Sequence, residues 1–107
     1  MEVKVTITRY IGDEPQPGIV EFQLLDAHGR VWTFVEKTAI PWCAAALNGE
    51  ASYPQAGTIS CRVIGKRNVP GGGEIVRIDT SRPWGVETAD GKCEFEVPSE
   101  SLLGEPG

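Results

Sequence analysis

Hydrophobic residues fall at every second position from the start of the chain. Val3, Val5 and Ile7 alternate with Lys4, Thr6 and Thr8, which predicts a first strand over about 2–10 with one face buried. The cluster Gly12-Asp13-Glu14-Pro15-Gln16-Pro17-Gly18 ends it, because no sheet interior accepts that density of glycine and proline. A hairpin follows over about 19–37. With Ala27-His28-Gly29 as its loop and Gly29 in the left-handed position, Asp26 pairs with Arg30, Leu24 with Trp32 and Phe22 with Phe34. The apolar members share one face only in this register; a slip by one residue scatters them.

The same alternation predicts strands over about 58–66 (Ile59, Cys61, Val63) and 74–80 (Val76, Ile78), joined by the flexible Val69-Pro70-Gly71-Gly72-Gly73. A second hairpin is expected to run from Pro83 to Val97 around a two-residue Asp90-Gly91 turn. It would place Trp84, Val86, Thr88, Cys93, Phe95 and Val97 inward, with Glu87 directly opposite Glu94 and Glu96 diagonal to it. Residues 38–57 are the least regular; Pro41 to Leu47 has the first-turn proline and trailing glycine of a two-turn helix, although the run is too short to be helical on propensity alone.

Six or seven short strands with hairpin connections define an all-β domain over 1–98, followed by a tail over 99–107 with one helical turn at 99–103. The expected architecture is a small antiparallel barrel or sandwich, OB-like or SH3-like, with at most one short helix near 41–48. The inward members Val5, Phe22, Leu24, Phe34, Ile59, Val63, Ile78, Val86 and Phe95 are the expected core.

Composition narrows the function more than the fold. A chain of 107 residues is one domain with room for a core. Fifteen acids against ten bases leave a net charge of −5, which disfavours nucleic acid and anionic membrane and favours a basic partner. No stretch approaches the roughly 20 apolar residues of a membrane span, and the alternating N-terminus is unlike a signal peptide. Three cysteines without CxxC spacing point to free thiols in a reducing cytoplasm.

The strings Asp26-Ala27-His28-Gly29-Arg30-Val31-Trp32-Thr33-Phe34-Val35-Glu36-Lys37 and Arg82-Pro83-Trp84-Gly85-Val86-Glu87 resemble segments of small uncharacterised bacterial single-domain proteins. The resemblance implies a bacterial cytoplasmic setting and transfers no activity.

Candidate chemistry is sparse. His28, the only histidine, sits at a hairpin tip with no nucleophile placed beside it. One histidine and three scattered cysteines make structural zinc a poor fit, and Gly71-Gly72-Gly73 precedes a strand rather than the helix of a phosphate loop. No catalytic residue, metal or other cofactor is assigned, and the domain is expected not to be an enzyme. Like charges directly opposite on a ladder cost stability, so Glu87, Glu94 and Glu96 read as a docking face for a basic protein, in the manner of an inhibitor or immunity-type partner. The alternative is a small-molecule-binding barrel whose mouth is lined by Trp42, Tyr53 and Trp84, with residues 38–57 as a lid and Glu36 as a carboxylate at the rim. Oligomeric state, strand order and the identity of any partner are open at this point.

Overall fold

Two strands with opposite destinations share the alternation around Cys61, and that split organises the molecule. The computed structural model describes residues 1–104. β1 (Glu2–Gly12), β2 (Ile19–Leu25), β3 (Val31–Lys37) and β4 (Gln55–Ser60) form one antiparallel sheet in the order β3-β2-β1-β4. β5 (Arg62–Asn68), β6 (Glu74–Asp79) and β7 (Glu94–Pro98) form a second, in the order β5-β6-β7. The single strand expected over 58–66 is therefore two, with the chain changing sheets at Cys61, whose N–H bonds the Met1 carbonyl at 2.9 Å. A chain that switches sheets in this way is a familiar corner in β-sandwiches.

The architecture is all-β and sandwich-like, and among the described residues no barrel closes. β1, β2 and β4 contribute Val3, Val5, Ile7, Val20, Phe22, Leu24 and Ile59 to a core that Val76, Ile78, Phe95 and Val97 complete from the second sheet. Phe34 on β3 stacks on Phe22 with centroids 5.1 Å apart and meets Phe95 edge-on at 5.7 Å, joining the layers. Of the expected core only Val63 is half-buried; it floors an open cleft.

The first hairpin has the register its sequence predicts, Phe22 opposite Phe34 and Leu24 opposite Trp32, with Gly29 at φ 80°. Three other expectations are corrected. Residues 41–48 form no helix: Pro41 is buried and Trp42 exchanges backbone hydrogen bonds with Thr58 at 2.8 and 3.0 Å, so the segment is tethered to β4 before a helix can propagate. In the region read as tail, the expected helical turn is a 3-10 turn over Ser99–Ser101, but Leu102–Leu103 forms β8, which pairs with β1; residues 105–107 of that tail lie outside the described residues.

The third correction concerns the second hairpin. β7 pairs with β6, not with residues 83–88. Thr80, fully buried, claims the intervening chain: its N–H bonds the Cys93 carbonyl at 2.8 Å, and its hydroxyl donates to the carbonyls of Val86 (2.8 Å) and Cys93 (3.2 Å). The turn closes from Thr88 to Lys92 around Ala89-Asp90-Gly91, one residue longer than the two-residue Asp90-Gly91 turn allows. Val86 and Thr88 still point inward, but Trp84 is 64% exposed and Glu87 has no ladder partner.

Candidate functional site

Pairing with β6 changes the surroundings of the acidic strand. Arg77 on β6 lies opposite Glu96 and donates from Nη2 to Glu94 Oε1 at 2.5 Å. Arg67 on β5 grips Glu96 with both arms of its guanidinium, at 3.1 and 3.3 Å, while His28 Nε2 stands 2.8 Å from the same carboxylate. Arg67 first and His28 second pull the Glu96 carboxyl down to about 2. Glu94 and Glu96 thus have cationic neighbours within the fold. Glu87 lies apart in an exposed loop, close enough to Glu36 to raise its pKa. The three carboxylates do not form one open face.

The aromatic mouth is also dispersed. Trp42 is 65% exposed beside β4, Trp84 projects from the 81–93 loop, and Tyr53 donates its hydroxyl to the Asn48 carbonyl at 2.9 Å. None of the principal clefts is lined by more than one of Trp42, Tyr53, Trp84 and Glu36. With no closed barrel there is no mouth for them to share. Glu36 is half-buried at the end of β3, and burial, then the Glu87 charge, pushes its carboxyl up.

A different site emerges from β5. The Val63 to Gly65 segment carries a β-bulge, so that Val63 lies opposite Ile78 and Lys66 lies opposite Val76. Ile78 and Val76 both face the core, and strict alternation from Val63 would have sent Lys66 to the other side. The extra residue reverses the phase. Lys66 therefore shares the face of Val76 where the core opens into a cleft of about 780 Å³, and Arg67 is turned outward to meet Glu96.

Cys61, Val63, Val76 and Leu102 give this cleft an apolar floor. Arg62, Lys66 and Arg82 stand around it, against Glu74 as the one acid in the lining among the described residues. Among the described residues none of those three cations forms an ion pair, although Arg9, Arg67 and Arg77 do. Burial pushes the Cys61 thiol up to about 11, so it is a neutral part of the floor and not a nucleophile. The combination is a local positive field over an apolar surface, in a chain whose net charge is −5. Arg62, Lys66 and Arg67 are visible in sequence as a basic cluster; a bulge that puts the exposed lysine on the face of Val76 and the neighbouring arginine on the other has no signal in the alternation.

Among the described residues no group of three or more His, Cys, Asp or Glu is placed to hold a metal ion, and no helix is long and apolar enough to cross a membrane. Cys43, Cys61 and Cys93 are free thiols. No family model matches the chain, and no curated protein and no solved structure matches it either.

Proposed function

We propose that this chain is a noncatalytic protein-interaction domain, and that the cleft between Lys66 and Arg82 docks an acidic segment of its partner together with an adjoining apolar side chain. The observation that carries this reading is the bulge at Val63–Gly65, which sets a cationic side chain beside Val76 at an apolar opening. Bulges of this kind recur where a side chain is re-aimed for function. Lys66 has no ion partner among the described residues, and a charge held so over apolar surface is an arrangement that an anionic ligand completes. The sign of the partner is then opposite to the basic protein expected from net charge, because Glu94 and Glu96, two of the three carboxylates that would receive a basic partner, already have Arg67, Arg77 and His28 beside them.

A second reading keeps the site and changes the occupant. The cleft volume lies within the roughly 300–1,000 Å³ range of small-molecule sites, and a small amphiphilic anion would satisfy the same groups. Fluorescence anisotropy with a labelled peptide rich in aspartate and containing leucine separates these readings. The proposal expects saturable binding that weakens with salt and falls about tenfold in Lys66→Glu. Absence of peptide binding, with dodecanoate binding retained, would transfer the site to the second reading; binding unaffected by Lys66→Glu would remove both.

A further inference from the structure

Antiparallel sheets with open edges face a standing hazard of pairing with other chains, and natural proteins blunt those edges with charges, prolines, bulges or covering loops. Three of the long edges here are blunted. Trp42 bridges the outer side of β4 at Thr58. β5 carries Arg62, Lys66, Arg67 and its bulge. β7 ends in Pro98, and the Ala27 N–H takes its Glu96 carbonyl at 2.8 Å. β3 has none of these devices along Val31-Trp32-Thr33-Phe34-Val35, and its ladder with β2 is regular throughout.

The direction of its free groups follows from the ladder. Asp26 N–H bonds the Arg30 carbonyl at 2.9 Å and Thr38 N–H bonds the Gly18 carbonyl at 3.0 Å. Even-numbered residues therefore exchange hydrogen bonds with β2, and the N–H and C=O groups of Val31, Thr33 and Val35 point to the open side. Their side chains lie on the outer face, where Val31 and Val35 are each 54% exposed and Leu25, opposite Val31, is 59% exposed.

We propose that two copies of this chain associate through β3, pairing antiparallel about a twofold axis at Thr33. This register sets Thr33 against Thr33 of the second copy and Val31 against Val35 of the second copy, both favourable cross-strand combinations. It brings every outward-pointing backbone group of Val31, Thr33 and Val35 into a hydrogen-bonded pair. It also sets Arg30 opposite Glu36 of the second copy, on the inner face, in both halves of the dimer. Arg30 has no ion partner among the described residues, and Glu36 has only the like-charged Glu87 and its neighbour Lys37 acting on it. Shifting the register by two residues loses the paired charges and shortens the ladder. Self-complementarity of this sort is what a twofold interface requires. The contact uses the first sheet and is independent of the cleft on the second.

Sedimentation equilibrium of the whole chain between about 10 μM and 1 mM tests this, since weak strand-mediated association falls in that range. A concentration-dependent dimer is expected. Thr33→Lys, which sets two lysines face to face, should weaken it about tenfold. Arg30→Glu and Glu36→Arg should each weaken it, and the double exchange should restore it. A single 11.6 kDa species at every concentration would overturn the proposal. So would a dimer indifferent to Thr33→Lys, or an Arg30→Glu, Glu36→Arg double variant no better than either single change. Should Thr33→Lys fail to fold, the charge exchange alone decides the register.

Discussion

Asp26 accepts the Trp32 indole N–H at 2.8 Å across the base of the first hairpin. The same carboxylate takes the backbone N–H of His28 at 2.8 Å and of Arg30 at 2.9 Å, so one side chain closes the loop and orients the indole over the core edge. Burial alone would push its carboxyl up; the donors from Trp32, Arg30 and His28 outweigh that and hold it below the usual range. Asp26→Ala leaves those donors without their acceptor and should cost about 2–3 kcal/mol in a urea titration at pH 7. A depressed folded pKa contributes stability above the unfolded value, near 3.9, and loses it as pH falls through the folded one. The penalty of Asp26→Ala should therefore shrink below about pH 4.

Glu94→Lys has a sign that depends on strand pairing. Opposite Glu87 it would relieve repulsion; beside Arg77 it creates it. With Arg77 donating to Glu94 at 2.5 Å, the replacement should destabilise the fold by about 0.5 kcal/mol at low salt and less when screened. The shift of the urea midpoint reads the sign directly.

Glu36→Gln should stabilise the isolated chain at pH 7, because burial and the Glu87 charge raise the Glu36 carboxyl above its unfolded value. A raised carboxylate pKa means that the folded state takes up its proton first as pH falls. The advantage of the glutamine variant should thus diminish as pH falls through the raised folded value and vanish below the unfolded value of about 4.3. Thermal melts of both proteins across that window, at protein concentrations low enough to exclude association, measure it.

Gly57→Ala tests the tether that replaces the expected helix. A Cβ there would stand 2.7 Å from the Trp42 carbonyl and 2.8 Å from Ile7 Cδ1. One of those atoms must move, so the variant should lose about 1–3 kcal/mol and loosen the Trp42 bridge to Thr58. A changed tryptophan emission spectrum accompanying the lower midpoint would locate the loss at Trp42.

The first hairpin was legible to the residue because its turn chemistry and its alternation agree: Asp26, Gly29 and the facing Phe22 and Phe34 all require one register. Val86 and Phe95 were legible as inward residues for the same reason, yet Val86 lies in a loop and the strand of Phe95 pairs with β6. Alternation fixes which face a residue takes, and says nothing about which strand lies beside it. Asp90-Gly91 suggested a local partner, whereas Thr80 and the oppositely charged Arg77 supplied one from further away in the chain. The cleft was less legible still. Its apolar members Val63 and Val76 read as ordinary core, and the placing of Lys66 on the face of Val76 depends on a one-residue bulge with no compositional mark.

Backbone amide shifts, followed as the aspartate-rich, leucine-containing peptide is titrated into the isotopically labelled chain, report whether the basic-rimmed cleft is the docking site. Progressive shifts concentrated at Lys66, Val76 and Arg82 are expected, diminished by Lys66→Glu and by added salt, with Glu94 and Glu96 unmoved. Shifts confined to β7 or the Trp42 segment, or none with the peptide in millimolar excess, would contradict it.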